Sequence, residues 1–157
     1  MTRFLVDAML GKLATFLRMC GYDAAYVLDI DDDRDNNLDD EIATLARESG
    51  RTLLTRDVEL AGRVEDALLL DSREIDDQLA ELRAAGVDLT LADPPRRCGA
   101  CNGTLERVAG DAPSPAYAPD PGSTPVWRCR DCGQQFGKGS HWTDEKERLS
   151  NDRSDRQ

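Results

Sequence analysis

Two pairs of cysteines have the spacing of metal-binding knuckles. Cys98 and Cys101 are separated by two residues, as are Cys129 and Cys132. Four thiolates suit a closed tetrahedral zinc site, and such a site is structural because it leaves no coordination position for a substrate. The redox-active CxxC motif is an alternative, but it normally occurs once, at the start of a helix in a thioredoxin-like unit. The pairs therefore predict a structural zinc site.

Aspartates at the ends of apolar runs form a second candidate site. Asp7 and Asp71 each follow such a run directly, and Asp57 lies two residues past another. Clustered carboxylates repel one another unless a hard divalent cation neutralises them, so Mg²⁺ or Mn²⁺ is the expected ligand. Together with Asp39, at the start of a predicted helix, these acids would activate a water for phosphodiester hydrolysis by in-line displacement.

The same acids also have structural interpretations. Asp39 could N-cap its helix, and Asp71 with Glu74 has the spacing of a capping box. A calcium site is a third interpretation, because the alternating acids of residues 29–40 fall at the ligand positions of an EF-hand loop. Arg34 occupies the position that needs glycine and no amphipathic helix precedes the loop, so a solvated acidic loop is favoured.

The elements that would position these residues alternate between strand and helix. Apolar periodicity and glycine stops predict strands at 3–6, 24–28, 51–55 and 67–70, followed in turn by helices at 9–20, 38–50, 57–65 and 75–86. This order predicts an α/β fold, a mostly parallel sheet with helices on both faces. Binding crevices lie at the carboxyl ends of such strands, where the acids would converge. Cys20 is expected to be a buried apolar residue of the first helix.

Composition divides the chain into three parts. Residues 1–95 contain the regular apolar runs and form the predicted α/β domain. Residues 96–142 have few aliphatic side chains and would need zinc in order to fold, which predicts a zinc ribbon. A stretch rich in Pro, Gly, Ser and Ala at 109–126 should form a loop. Residues 143–157 are expected to form a flexible charged tail.

The charge of the chain bears on its partners and location. The formal net charge is -11, with 31 acidic against 20 basic residues, which ordinarily argues against nucleic acid. The preference for Asp and Arg indicates adaptation to a salt-rich cytosol, where a Debye length of about 3 Å at molar salt screens repulsion. No membrane span or signal peptide is evident, so we expect a cytoplasmic protein with no membrane partner. Reducing cytosol favours metal binding over disulfides.

The segment after the second cysteine pair has the composition of a nucleic-acid contact. Lys138 could meet phosphate and Trp142 could stack on a base, close to His141, the only histidine of the chain. Alternatively, Trp127 and Trp142 pack the ribbon against the first domain, and His141 donates a hydrogen bond to a carbonyl. The sequence leaves both interpretations open.

As a whole, the sequence resembles the PIN-like RNase domain found at the carboxy terminus of the Mut-7 exonuclease. The likeness is carried by residues 4–23, 39–57, 127–133 and 139–142. It implies a PIN-like fold, metal-dependent cleavage of RNA and an added zinc ribbon. It also implies a catalytic, metal-binding role for Asp7, Asp39 and Asp57, with Asp71 as a candidate fourth acid.

Several basic residues belong to the matched stretches. Lys12, Arg18 and Arg56 could contact phosphate, although each could equally form an ion pair with a nearby acid. An acidic insertion before Asp39 leaves open whether Asp39 or Asp40 is the metal ligand.

The sequence therefore supports two hypotheses of different classes. The leading one is an endoribonuclease that uses Mg²⁺ or Mn²⁺ on single-stranded RNA, with the ribbon assisting RNA binding. The other is a non-catalytic adaptor that binds RNA or the ribosome through its ribbon. The presence of all three acids favours the enzyme. A toxin of a toxin–antitoxin pair is disfavoured, because PIN toxins seldom carry a ribbon. The oligomeric state is not predicted.

Overall fold

The computed structural model describes residues 2–30, 39–92, 94–111, 113, 121–122 and 125–137, with the side chains of Ile30 and Asp39 excepted. Strands and helices alternate through the first part of the chain, which confirms the α/β prediction. The elements are β1 (Phe4–Val6), a 3₁₀ turn (Ala8–Leu10), α1 (Gly11–Met19), β2 (Ala24–Tyr26), α2 (Val27–Ile30), α3 (Asp39–Ser49), β3 (Thr52–Thr55), α4 (Val58–Arg63), β4 (Ala67–Leu69) and α5 (Ile75–Ala84).

The four strands of this α/β unit form one parallel sheet with the order β2-β1-β3-β4. The chain moves from β1 to β2 on one side and then crosses back to β3 on the other. Its winding therefore reverses between β1 and β3, and the carboxyl ends of these two strands form the topological switch point of the sheet. At that edge Val6 is paired with both Tyr26 and Leu54.

Helices cover both faces of the sheet, and β1 shows why the sequence requires this. Its three residues are all buried, and they alternate between two apolar clusters. Phe4 and Val6 pack in the cluster that includes residues of α1 and α5, whereas Leu5 packs in the cluster that includes residues of α3 and α4. A central parallel strand needs apolar side chains on both faces because both faces are covered.

Three glycines end helices at the predicted places. Gly21, Gly50 and Gly86 follow α1, α3 and α5 with φ values of 89°, 65° and 95°, a left-handed conformation that glycine adopts without steric cost. The prediction of a strand over 24–28 was too long. β2 ends at Tyr26 because its pairing partner β1 ends at Val6, and the following residues form α2.

The ribbon is a separate antiparallel sheet with the order β5-β6-β7. Its strands are β5 (Leu105–Arg107), β6 (Val126–Cys129) and β7 (Gln135–Gly137). Trp127 is buried here, with the guanidinium of Arg107 5.5 Å from the centre of its ring. Of the predicted loop 109–126, the residues that the structure describes before β6 contain no helix or strand.

Two predictions fall on residues that the structure does not describe. Most of the EF-hand-like loop, at 31–38, and the charged tail, at 143–157, lie outside it. None of the helices in the described part of the chain is both long and apolar enough to span a membrane.

Candidate functional site

Asp7 lies at the switch point of the sheet, directly after β1. Its backbone N–H donates to the carbonyl of Leu54 on β3 at 3.0 Å, which continues the pairing of the two strands. Its carboxylate is buried, and both oxygens accept hydrogen bonds: Oδ1 from the N–H of Ala8 at 2.7 Å and Oδ2 from the hydroxyl of Thr55 at 2.6 Å. The carboxylate is thus held between the ends of β1 and β3.

Thr55, the last residue of β3, connects the two acids at this edge. Its hydroxyl is fully buried, donates to Asp7 and accepts the backbone N–H of Asp57 at 3.0 Å. Thr55 is not among the residues predicted from the sequence. A hydroxyl two positions before an acid, at the end of a buried strand, is the signal that could have identified it.

Asp57 has a structural role as well as its position at this edge. It is the N-cap of α4, where its Oδ1 accepts from the N–H groups of Glu59 and Leu60 at 3.0 and 3.3 Å. The other oxygen, Oδ2, forms no hydrogen bond with any residue that the structure describes. Helix capping, which we considered for other acids, is therefore found here and still leaves one carboxylate oxygen for a ligand.

The remaining predicted acids differ from these two. Asp71 is exposed, and its backbone N–H donates to Glu81 Oε1 at 2.9 Å. The capping-box interpretation was wrong, because α5 has Glu74 as its N-cap and no side-chain cap. Asp39 begins α3, but its side chain lies outside the described residues, whereas the exposed Asp40 forms an ion pair with Arg63.

The acids are not the ligand group that the structure brings closest together. Among the described side chains, only the four cysteines place three or more potential ligand atoms near enough to one another to share an ion. The shared metal site of Asp7, Asp39 and Asp57 therefore stays a prediction. The structure describes the side chains of Asp7 and Asp57 but not that of Asp39.

The three predicted phosphate contacts within the α/β unit have different surroundings. Lys12 is exposed in the first turn of α1, and Arg56 is half-buried next to Thr55, with its Nε shielded and without a hydrogen-bond partner. Neither forms an ion pair within the described part of the chain. Lys138, His141 and Trp142 lie outside the described residues, so their RNA-binding role stays a prediction.

Arg18 is buried, and its guanidinium binds two backbone carbonyls and a carboxylate of the same chain. Its Nε donates to the carbonyl of Ala24 and its Nη1 to the carbonyl of Gly99, both at 2.9 Å, while Nη2 lies 3.5 Å from Asp29 Oδ2. Of the two interpretations of this arginine, the ion pair is the one that the structure contains. Since Gly99 lies between Cys98 and Cys101, Arg18 also links α1 to the first cysteine knuckle.

The four cysteine sulfurs have the spacing of a tetrahedral metal site. All lie within 4.8 Å of one another, with 3.8 Å between Cys98 and Cys132 and 3.4 Å between Cys101 and Cys129. Zinc–sulfur bonds of about 2.3 Å in a tetrahedron require sulfurs about 3.8 Å apart. The donor set and its geometry therefore fit zinc, and these cysteines could hold it as a closed structural site.

The two knuckles have the same pattern of backbone hydrogen bonds. The N–H of Asn102 donates to the carbonyl of Cys98 at 2.8 Å, and the N–H of Gly133 donates to that of Cys129 at 3.0 Å. Asn102 and Gly133 both have a positive φ, 70° and 78°. Gly103 comes next, and a Cβ there would lie 2.6 Å from Cys129 Sγ, so only glycine lets the knuckles approach this closely.

The thiols of the site have opposite tendencies to ionise. Burial raises the pKa of Cys101 to about 12. Burial acts in the same direction on Cys129, but the backbone N–H groups of Cys132 and Asp131 donate to its sulfur at 3.4 Å and outweigh it, which lowers its pKa to about 7. Metal binding must displace the remaining protons, so affinity for zinc increases with pH.

Asn102 also joins the ribbon to the α/β unit. Its Oδ1 accepts the N–H of Ala24 at 2.9 Å, and its Nδ2 donates to Asp23 Oδ1 at 2.6 Å. Asp23 in turn is paired with Arg51 at 2.8 Å. Burial favours the neutral acid, but the bonds from Arg51 and Asn102 outweigh it and hold the pKa of Asp23 below its usual value of 3.8. This junction was not predicted from the sequence.

The family model of the Mut7-C RNAse domain matches residues 2–149. The chain belongs to this family. Neither the curated proteins nor the solved structures give a match. Membership confirms the resemblance that we drew from the sequence, and it indicates a nuclease-like, RNA-related role for the chain.

The match to the Mut7-C RNAse domain extends over both parts of the structure. It includes the switch point of the parallel sheet and all four cysteines of the candidate zinc site. The ribbon therefore lies within the matched region.

Proposed function

We propose that this chain is a metal-dependent endoribonuclease that hydrolyses RNA phosphodiester bonds at the carboxyl edge of its parallel sheet. The observation that carries the proposal is the linkage of Asp7, Thr55 and Asp57 across the switch point, in a chain of the Mut7-C RNAse domain family. A cytoplasmic location is part of the proposal.

The residues of this edge suit a hard cation. Asp7, Asp39 and Asp57 would hold Mg²⁺ or Mn²⁺ through carboxylate oxygens, the ligands that these ions prefer, with Asp71 as a further acid of the site. The metal, when bound, would supply an activated water and neutralise charge on the phosphate. The hydroxyl of Thr55 orients the carboxylate of Asp7. The first turn of α4 holds Oδ1 of Asp57, and this hydrogen bond also fixes the direction of Oδ2.

Basic groups near the acids would bind the substrate. Lys12 and Arg56 have no acidic partner in the described part of the chain, so either could pair with a phosphate of RNA. The ribbon, folded around zinc, would add contacts from Lys138, His141 and Trp142 to single-stranded RNA.

The alternative is a non-catalytic adaptor that binds RNA or the ribosome. The observation in its favour is that Asp57 caps α4 and so has a structural reason to be present. In that case the α/β unit would serve as a scaffold, and loss of its acids would leave RNA binding intact.

The test is cleavage of single-stranded and structured RNA by zinc-loaded protein in high KCl, with and without added Mg²⁺ or Mn²⁺. We expect cleavage that depends on the added ion and falls at least about a hundredfold in Asp7→Asn, since an active-site metal contributes several kcal/mol to catalysis. Glu65→Gln is the matched control, because this acid is exposed at the opposite, amino-terminal edge of the sheet, before β4. Equal cleavage by both variants would favour the adaptor.

A further inference from the structure

Tyr26, the last residue of β2, reaches the turn that follows Asp7. It is paired with Val6, the residue directly before Asp7, and its half-buried ring packs against the apolar cluster that includes residues of α1. Its hydroxyl donates to the carbonyl of Ala8 at 2.5 Å. An outer strand of the sheet is thereby joined to the residue next to a candidate metal ligand.

Ala8 is held by hydrogen bonds at both of its backbone groups. Its carbonyl accepts from Tyr26, and its N–H donates to Asp7 Oδ1 at 2.7 Å. Because both groups belong to one residue, fixing the carbonyl restricts movement of the N–H, which is one of the two donors that orient the carboxylate of Asp7. A carboxylate oxygen has two lone pairs, so Oδ1 can accept this bond and still bind a cation.

Tyr26 is itself held in place from two directions. A Cβ at Gly11, the first residue of α1, would lie 3.1 Å from the phenol oxygen and 3.2 Å from Cζ, so the ring lies directly against the start of the helix. Two residues before Tyr26, the N–H and carbonyl of Ala24 bind Asn102 and Arg18. The phenol is therefore a fixed support for Ala8.

The hydroxyl of Tyr26 is protonated and already used. Burial raises its pKa above the usual value of 10, and the negative charges of Asp29 and Asp7 act in the same direction. A phenol has a single proton to donate, and the carbonyl of Ala8 accepts it here. Tyr26 therefore acts on a neighbouring residue of the protein rather than on a substrate.

We propose that Tyr26 is a positioning residue of the candidate active site: its hydroxyl holds Ala8, and Ala8 holds Asp7 in the orientation that binds a divalent cation. The proposal rests on the proposed function, in which Asp7 is a metal ligand. Removing a direct partner of a metal ligand typically lowers metal affinity or activity about 10–100-fold. Tyr26 acts one hydrogen bond further away, so we expect a smaller loss.

Two measurements on zinc-loaded protein test the role of the hydroxyl in Tyr26→Phe. One is the hydrogen-exchange rate of the Ala8 amide, measured by NMR without Mg²⁺ or Mn²⁺, and the other is the affinity for Mn²⁺, measured by calorimetry. A hydrogen bond of ordinary strength changes an equilibrium about two- to twelvefold. We expect exchange at least about threefold faster and Mn²⁺ binding at least about threefold weaker.

RNA cleavage gives a third readout for Tyr26→Phe. We expect kcat to fall by a factor similar to the loss of Mn²⁺ affinity, because a ligand that is no longer well oriented impairs the reaction. KM for RNA should not change, because the hydroxyl is bonded to Ala8 and is not available to the substrate.

Tyr22→Phe is the matched control. This variant also removes a hydroxyl that donates to a backbone carbonyl, that of Asp88 at 2.8 Å, from a tyrosine of the same apolar cluster. Tyr22 lies at the opposite edge of the sheet, where its ring packs edge-on against Phe4, the first residue of β1. Its loss should lower the melting temperature but leave Ala8 exchange and Mn²⁺ affinity unchanged.

The outcomes separate this proposal from the proposed function. If wild-type protein cleaves RNA and Tyr26→Phe binds Mn²⁺ and cleaves as it does, the positioning role is overturned and the enzyme stands, whatever the exchange rate of Ala8. If wild-type protein cleaves no RNA, yet Tyr26→Phe alone shows faster exchange and weaker Mn²⁺ binding, the enzyme fails while the positioning role remains. Wild-type Mn²⁺ affinity in Asp7→Asn would overturn both, because Asp7 would then hold no ion.

Discussion

At the scale of single residues, substitution of Asp57 can separate its observed role as the N-cap of α4 from its proposed role as a metal ligand. Asparagine caps helices about as well as aspartate, whereas alanine at such a position costs about 1 kcal/mol. We therefore expect Asp57→Asn to keep the stability of the wild-type protein and lose metal-dependent RNA cleavage, and Asp57→Ala to lose both. Urea denaturation and cleavage kinetics on the same preparations provide the measurement. If the Asp57→Asn protein cleaved at the wild-type rate, capping of α4 would be the only role left for this residue.

Substitutions of Thr55 can separate the role of its hydroxyl group from that of its methyl group. In Thr55→Val the shape of the side chain is retained, but Asp7 Oδ2 and the N–H of Asp57 lose their partner, which costs about 1–3 kcal/mol. We expect kcat for RNA cleavage to fall at least about tenfold, because Asp7 is no longer oriented. Thr55→Ser retains the hydroxyl and should keep most of the activity. If serine and valine variants were equally impaired, packing of the methyl group rather than the hydrogen bond would explain the loss.

The candidate site was only partly predictable from the residues. The position of Asp7 and Asp57 at the sheet edge could be predicted, because acids that follow apolar runs lie at the carboxyl ends of strands in a parallel sheet. Thr55 was missed because its role depends on hydrogen bonds to residues on two different elements. For Arg18 a phosphate contact and an ion pair both stayed open, because nothing in its neighbourhood along the chain points to Gly99, a partner 81 residues away.

At the scale of elements, the junction between knuckle and sheet depends on Asn102. Asn102→Gly keeps the left-handed backbone but removes the bonds to Ala24 and Asp23, whereas Asn102→Ala removes the bonds and adds backbone strain. We expect a loss of about 1–3 kcal/mol for glycine, the cost of leaving the partners of Asn102 unsatisfied, and a larger loss for alanine. Thermal denaturation of the zinc-loaded proteins measures both. The reverse order of stability would mean that the backbone conformation is of little consequence here.

Acid should weaken this junction through Asp23. Its pKa is held below the usual 3.8 in the folded chain, so its ionised form contributes stability above that pH and loses it as the pH falls through the folded pKa. We expect wild-type protein to be more stable than Asp23→Asn at neutral pH, and the difference to shrink below pH 3.8. Zinc release in acid affects both proteins, so the difference between their unfolding free energies isolates Asp23. A difference that does not change with pH would contradict the assignment.

Boundaries of elements were predictable where local chemistry sets them. Gly21, Gly50 and Gly86 end helices because each supplies a left-handed residue, a property of the glycine itself. The end of β2 was predicted wrongly because it depends on the length of β1, its partner in the sheet. The left-handed Asn102 had a local signal that we did not use, since it follows its CxxC pair as Gly133 follows the other.

At the scale of the whole molecule, zinc should stabilise the α/β unit as well as the ribbon. The first knuckle contributes Gly99 and Asn102 to contacts with α1 and β2, so its unfolding removes them. Trp127 lies in β6 of the ribbon and Trp142 follows it in the sequence, whereas the helices that the structure describes all lie in the α/β unit. Tryptophan fluorescence and the helical circular dichroism signal should therefore report on different parts of the chain. We expect a zinc chelator, with Mg²⁺ in excess, to lower the melting temperature of the helical signal by several degrees.

Restoring zinc should return the helical transition to its original temperature. A chelated protein whose tryptophan emission changes while its helices melt as before would show the ribbon to be an independent appendage. In that event the hydrogen bonds of Asn102 and Arg18 would not contribute to the stability of the α/β unit.

The pairing of Ala24 has a further consequence for the molecule in solution. β2 is an outer strand, and the backbone groups of Ala24 that bind Asn102 and Arg18 are not used by β1 in the sheet. An outer strand with unsatisfied N–H and C=O groups is a template on which another chain can add a strand. The ribbon covers this position, so the cysteines far along the chain protect the start of the sheet from edge-to-edge aggregation.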